Sequence, residues 1–141
     1  MKSNVLRFLI AVILASIIRE FLHTTIGIPA PSYSKFINIM AYVTSPLGSA
    51  LGIAITYYFF GDRLPTNSSF LKGIMLGMLV LLIDGQLIRQ PLMNLLLSNT
   101  LREVFLVQLQ LDLSTLAMTV TIALILKPKY GMRSARPTTG P

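Results

Sequence analysis

Long apolar runs separated by short polar or proline-containing breaks dominate this chain, and their lengths predict membrane-spanning helices. An α-helix rises about 1.5 Å per residue, so about 20 mostly apolar residues are needed to cross roughly 30 Å of hydrocarbon. Four stretches satisfy this, over about 5–26, 36–60, 70–97 and 103–126. The first is uncharged over 8–18, meets Arg19 and Glu20, resumes at Phe21 and Leu22, and is stopped by Pro29 and Pro31. The second carries no charged residue. Gly61, Asp62 and Pro65 then make a turn-rich loop, and Ser68 or Ser69 is placed to cap a third helix beginning near Phe70. The third span takes Asp84 and Arg89 into its length, and the fourth takes Asp112. Lys2 and Arg7 ahead of the apolar core 8–18 are the layout of a cleaved leader. A clear small-x-small cleavage site is missing and Arg19-Glu20 stands in its place, so the segment reads as a retained span.

The expected fold is therefore an all-α integral membrane protein. Its domain is a bundle of four transmembrane helices over 1–126, followed by a basic tail over 127–141. Composition agrees: 53% hydrophobic and 12% charged residues leave too little polar surface for a water-soluble globule of 141 residues. Cysteine is absent, which removes disulfides and thiolate metal sites together, and the single histidine, His23, sits in no metal-ligand spacing. No cofactor or metal is expected. A net charge of +7 raises nucleic acid as a partner, but the basic residues gather at the edges of apolar segments, where they orient the chain instead. With both termini cytoplasmic, Lys2, Arg7, Arg63, Lys72 and the four basic residues of the tail lie inside, against Lys35 and Arg102 outside. That bias predicts cytoplasmic N- and C-termini in a plasma or inner membrane of bacterial type.

Candidate chemistry lies in polar residues within the apolar runs. Counting from the cytoplasmic ends puts Arg19, Glu20 and Asp84 about 21 Å up their helices, while Asp112 lies about 14 Å below the outer end of the fourth. Charges at such depth usually face the bundle and pair, so Arg19 is expected to meet Asp84 or Asp112, and Glu20 to reach His23. Gln86, Gln90 and Asn94 share a stripe of the third span with Arg89 nearby, and Gln108 joins Asp112 on the fourth. Pro91 is expected to kink the third span by freeing the carbonyl of Leu87. These ten residues form an expected intramembrane polar cluster, read either as glue between helices or as a site for a solute or ion.

Close helix packing is the second signal. Gly48 and Gly52 with Thr44 and Thr56 recur every four residues on the second span, as do Gly73 and Gly77 on the third, with Gly85 later on that stripe. The run 57–60, Tyr-Tyr-Phe-Phe, is expected at the membrane interface. No nucleophile with an adjacent base and no phosphate-binding loop is visible, so an enzyme is not expected. The reading is a non-catalytic multi-pass protein acting through helix contacts, as an accessory or assembly subunit or a self-associating bundle. Its expected partners are membrane lipids and other membrane subunits or further copies of itself. The alternative is a small oligomeric transporter or channel that uses the polar cluster.

Overall fold

Proline and glycine punctuate the apolar runs, and several of the helices begin or end at that punctuation. The computed structural model describes residues 2–26, 35–85, 87–96 and 100–127, the side chains of 2–3, 26, 35–42, 90 and 94 excepted. It contains α1 (Lys2–Ile26), α2 (Lys35–Phe60), a 3-10 turn (Gly61–Arg63), α3 (Ser69–Ile83), α4 (Arg89–Leu96) and α5 (Leu101–Ile125). No strand occurs among the described residues.

Capping chemistry explains two of the helix starts. Ser68 accepts a hydrogen bond from the Leu71 N–H at 3.5 Å and opens α3. At α5, Thr100 accepts from the Glu103 N–H at 3.3 Å while the Glu103 carboxylate accepts from the Thr100 N–H at 2.8 Å, a reciprocal box that satisfies two otherwise orphaned donors. Pro46 lies inside α2.

The third apolar stretch differs from expectation. It does not continue through Asp84 and Arg89; α3 ends at Ile83, with Asp84 as its C-cap. Gly85 follows at φ +69°, and its N–H bonds to the Leu82 carbonyl at 3.1 Å. That left-handed residue closes the helix, a conformation glycine adopts without steric cost. Gly85 is thus a terminator and not a third member of the packing stripe. Nor does Pro91 kink a continuous helix: it occupies the first turn of α4, where its missing N–H costs nothing, and the break lies upstream of it.

The helices α1, α2, α3 and α4 all touch α5, and α1 also packs on α2. Three cross-helix contacts fix the directions: Ser16 of α1 meets Pro46 of α2, His23 of α1 meets Gln110 of α5, and Gly73 of α3 lies against Val120 of α5. The helix α1 therefore runs antiparallel to α2 and to α5, and α3 antiparallel to α5, which leaves α2 and α5 parallel where they touch. The start of α1, the end of α2, the start of α3 and the end of α5 share one end of the bundle. The core is built from small residues with a few large ones between them: Ala11, Ala15, Ala50 and Ala54 surround Tyr57, Met118 and Ile122. Tyr57 is 1% exposed and donates a 3.4 Å hydrogen bond to the Ala123 carbonyl, so it belongs to the core and not to an interfacial belt.

The outside of the bundle is as apolar as the inside. Leu9, Ile13, Ile17 and Phe21 form an open stripe of α1 at 51–65% exposure, and Ile83 is 82% exposed. The stretches Val43–Arg63 and Leu101–Ile125 are long and apolar enough to cross a membrane. Of their most apolar windows 28% and 33% is buried, less than in the mostly buried core helix of a water-soluble protein. A soluble monomer rarely exposes continuous apolar surface on this scale.

Candidate functional site

Among the described residues, the polar side chains form separate small arrangements. In the first, the Gln110 Nε2 lies 2.6 Å from the His23 carbonyl and 2.6 Å from His23 Nδ1, joining α5 to α1. One amide hydrogen is directed at each, so Nδ1 accepts and the ring carries its hydrogen on Nε2. The carbonyl also fixes the amide: turning it over would set two oxygens against each other. Gln110 is only 5% exposed, so these bonds form inside the α1–α5 contact. Gln110 stands outside the Gln108–Asp112 stripe, about 160° round the helix from each. Its signal was a second polar face on the same helix, with Ser114 four residues on and 2% exposed.

In the second arrangement, Gln108 donates from Nε2 to Asp112 Oδ1 at 2.7 Å within α5. The Gln108 Oε1 is buried and has no hydrogen-bond partner among the described residues, and the same holds for Glu20 Oε1 on α1. Gly73 lies against Val120 and Gly77 against Leu116, so four residues forward on α3 match four residues back on α5. Continuing that register brings Asp112 to the level of Leu81 and Gln108 to the level of Gly85, opposite the break between α3 and α4.

The expected partners of Arg19 are not met. Asp84 is exposed at the end of α3, Arg89 is exposed at the start of α4, and among the described residues the one ion pair is Lys72–Asp62 at 3.6 Å. The physical reason is the break itself, which turns Asp84 into a helix cap facing outward. Glu20 does not bond His23, whose Nδ1 is taken by Gln110. Gln86 lies outside the described residues; Gln90 and Asn94 lie on α4 with side chains outside them. Among the described residues no three His, Asp or Glu side chains gather as a metal ion would require.

Three buried hydroxyls bond back to carbonyls of their own helices. Ser114 donates to the Leu111 carbonyl at 3.0 Å, and Thr119 to the Leu116 carbonyl at 2.9 Å. Ser16 shares its hydrogen between the Val12 carbonyl at 2.7 Å and the Pro46 carbonyl at 3.3 Å. Such back-bonded small residues let helices approach without leaving a polar group unpaired.

No family model, curated protein or solved structure matches this chain. Its chemistry therefore rests on the geometry just described, in which helix contact predominates. A Cβ at Gly73 would stand 2.5 Å from the Val120 Cα, and one at Gly77 would stand 2.6 Å from the Thr119 Oγ1 and 2.7 Å from a Leu116 methyl. Those two glycines let α3 and α5 touch backbone to backbone. At Gly48 and Gly52 a Cβ would meet nothing within 4 Å. Thr44, Gly48, Gly52 and Thr56 all lie on exposed surface of α2.

Proposed function

We propose that this chain is a non-catalytic multi-pass membrane protein that acts through helix contacts, as an accessory or assembly subunit or as a self-associating bundle. In this reading it crosses the bilayer four times with both termini in the cytoplasm. The helices α1, α2 and α5 each make one crossing. Since α3, with 15 residues, covers only about 22 Å of the roughly 30 Å of hydrocarbon, α4 completes the third. The observation that carries the reading is the open small-residue face of α2. In lipid, helices associate through close backbone approach and not through apolar burial, and at Gly48 and Gly52 this face is shaped for approach but uncovered by the described residues.

Purification in mild detergent with mass determination tests it. The chain should migrate with a second copy or another membrane subunit, and Gly48→Ile with Gly52→Ile should release a folded single chain. A native chain that is solitary at every concentration in detergent and in lipid would contradict it.

A second reading, a small oligomeric transporter or channel, is supported by the unpartnered Gln108 Oε1 and the helix break at its level. Broken helices line solute sites in many transporters. Under the leading reading, Asp112→Asn keeps the bond to Gln108 and leaves cellular function intact, and Asp112→Cys resists an impermeant thiol reagent. Rapid labelling that a solute blocks would favour the second reading.

A further inference from the structure

Asp112 stands about 16 Å along α5 from its start, half-way through roughly 30 Å of hydrocarbon. It continues the stripe of Val120 and Leu116 that touches α3, while Leu81, 1% exposed, continues the stripe of Gly73 and Gly77 that touches α5. Asp112 is therefore set against the last turn of α3. Gln108, one turn nearer the start of α5, comes to the level where α3 stops at Gly85.

Oxygen acceptors gather at this level, and the described residues bring them no cation. Gln108 Nε2 donates to Asp112 Oδ1 at 2.7 Å, which commits the amide nitrogen and leaves Oε1 as an acceptor, buried and without a donor among the described residues. The carbonyls of the last turn of α3 point toward the same level and form the negative end of that helix dipole. Arg89, beside Gly85, is exposed and bonds neither residue. Arg19 lies on α1, which meets α5 at Gln110, about 160° round the helix from Asp112. An ionised carboxylate in hydrocarbon is costly, the more so beside the negative end of a helix, and it needs one positive charge. A basic side chain of another protein would not reach the buried Oε1. A proton on Asp112 gives one donor to several acceptors, whereas a cation contacts them together, as monovalent cations do at the carbonyl ends of broken membrane helices.

We infer that Asp112, Gln108 and the C-terminal turn of α3 form a binding site for one monovalent alkali cation inside the bundle. The Asp112 carboxylate balances its charge, and Gln108 Oε1 and the α3 carbonyls complete its oxygen shell. A single carboxylate suits a single charge, and among the described residues no three His, Asp or Glu side chains gather to hold a multivalent ion. The inference rests on the membrane reading above. It holds whether the ion fixes α5 against the helix break or is carried.

Sodium is the probe. The chain is first reconstituted in phosphatidylcholine vesicles and washed with alkaline carbonate, and its retention checks the membrane reading separately. It is then solubilised in mild detergent, and thermal unfolding is followed in sodium chloride against N-methylglucamine chloride at equal concentration. Sodium at ten times its dissociation constant should raise the midpoint by about 5 °C, and radioactive sodium should bind as one ion per chain. Asp112→Asn and Gln108→Leu should each abolish the sodium shift. Gln110→Leu, the same kind of change on the opposite side of α5, should lower the midpoint in both salts and keep the shift, and Arg89→Gln should keep it too. Equal midpoints in the two salts for a native chain retained in the vesicles overturn the site and leave the membrane reading standing. A shift that survives Asp112→Asn overturns it, as does a native midpoint that follows pH with no response to sodium, since a proton then neutralises Asp112. A sodium shift that appears only with Arg89→Gln means that Arg89 supplies the charge, and it overturns the site as well. A chain washed out of the vesicles removes the membrane reading and the site together.

Discussion

Two glycine pairs with the same four-residue spacing have opposite surroundings in this molecule. Gly73 and Gly77 of α3 are pressed against α5, where even a methyl group would meet the Val120 backbone or the Thr119 and Leu116 side chains. Gly48 and Gly52 of α2 face open space. In water this difference would be explained by burial, but in lipid an uncovered Leu is as well solvated as a covered one, so the distinguishing quantity is backbone approach. The closed pair holds this chain together. In the proposed reading, the open pair is available to another one.

Substitution sharpens the contrast. Gly73→Ala forces the α3 and α5 backbones apart and should cost about 1–3 kcal/mol in reversible unfolding in mixed micelles followed by circular dichroism. Gly77→Ala should cost less, because the groups it meets are side chains that can rotate, whereas Val120 Cα cannot. Next in size is the α1–α5 link: Gln110→Leu keeps the volume but removes both contacts to His23, for a loss of about 1 kcal/mol in the same assay. The smallest effect is expected at Gly48→Ala and Gly52→Ala, which should leave the isolated chain unchanged or more stable by up to about 1 kcal/mol through helix propensity. If either costs as much as Gly73→Ala in detergent that keeps the chain solitary, the two faces are not distinct and the comparison fails.

The helices, their apolar exteriors and the glycine spacing were legible in the sequence because each follows from local composition and from a period of about four residues. The break in the third stretch was not, since neither apolar part is as long as a span by itself and a single span results only when Asp84 and Arg89 are taken inside it. Its signal was turn chemistry: Asp84-Gly85 is a helix stop, and Pro91 six residues later fits the first turn of a new helix. The same stop decides Asp84, which in a continuous helix would share the depth of Arg19 and as a cap faces outward. Tyr57 was read with its aromatic neighbours as interfacial, but side chains 100° apart on a helix do not share a face, and Tyr57 alone of the four turns into the core. Which glycine pair is covered depends on the tertiary arrangement, and no local pattern carries it.

The central claim is that the bundle spans the membrane with its basic end in the cytoplasm. Because the chain lacks cysteine, single thiols report sidedness without background. Asn67→Cys lies in the exposed loop before α3, and Leu101→Cys lies at the start of α5, where the native side chain is 76% exposed. In intact cells a membrane-impermeant maleimide should label the Leu101→Cys variant at once and the Asn67→Cys variant only after permeabilisation. Labelling of both from the same side would mean that α3 and α4 do not cross the bilayer between them, and the four-span account would be wrong.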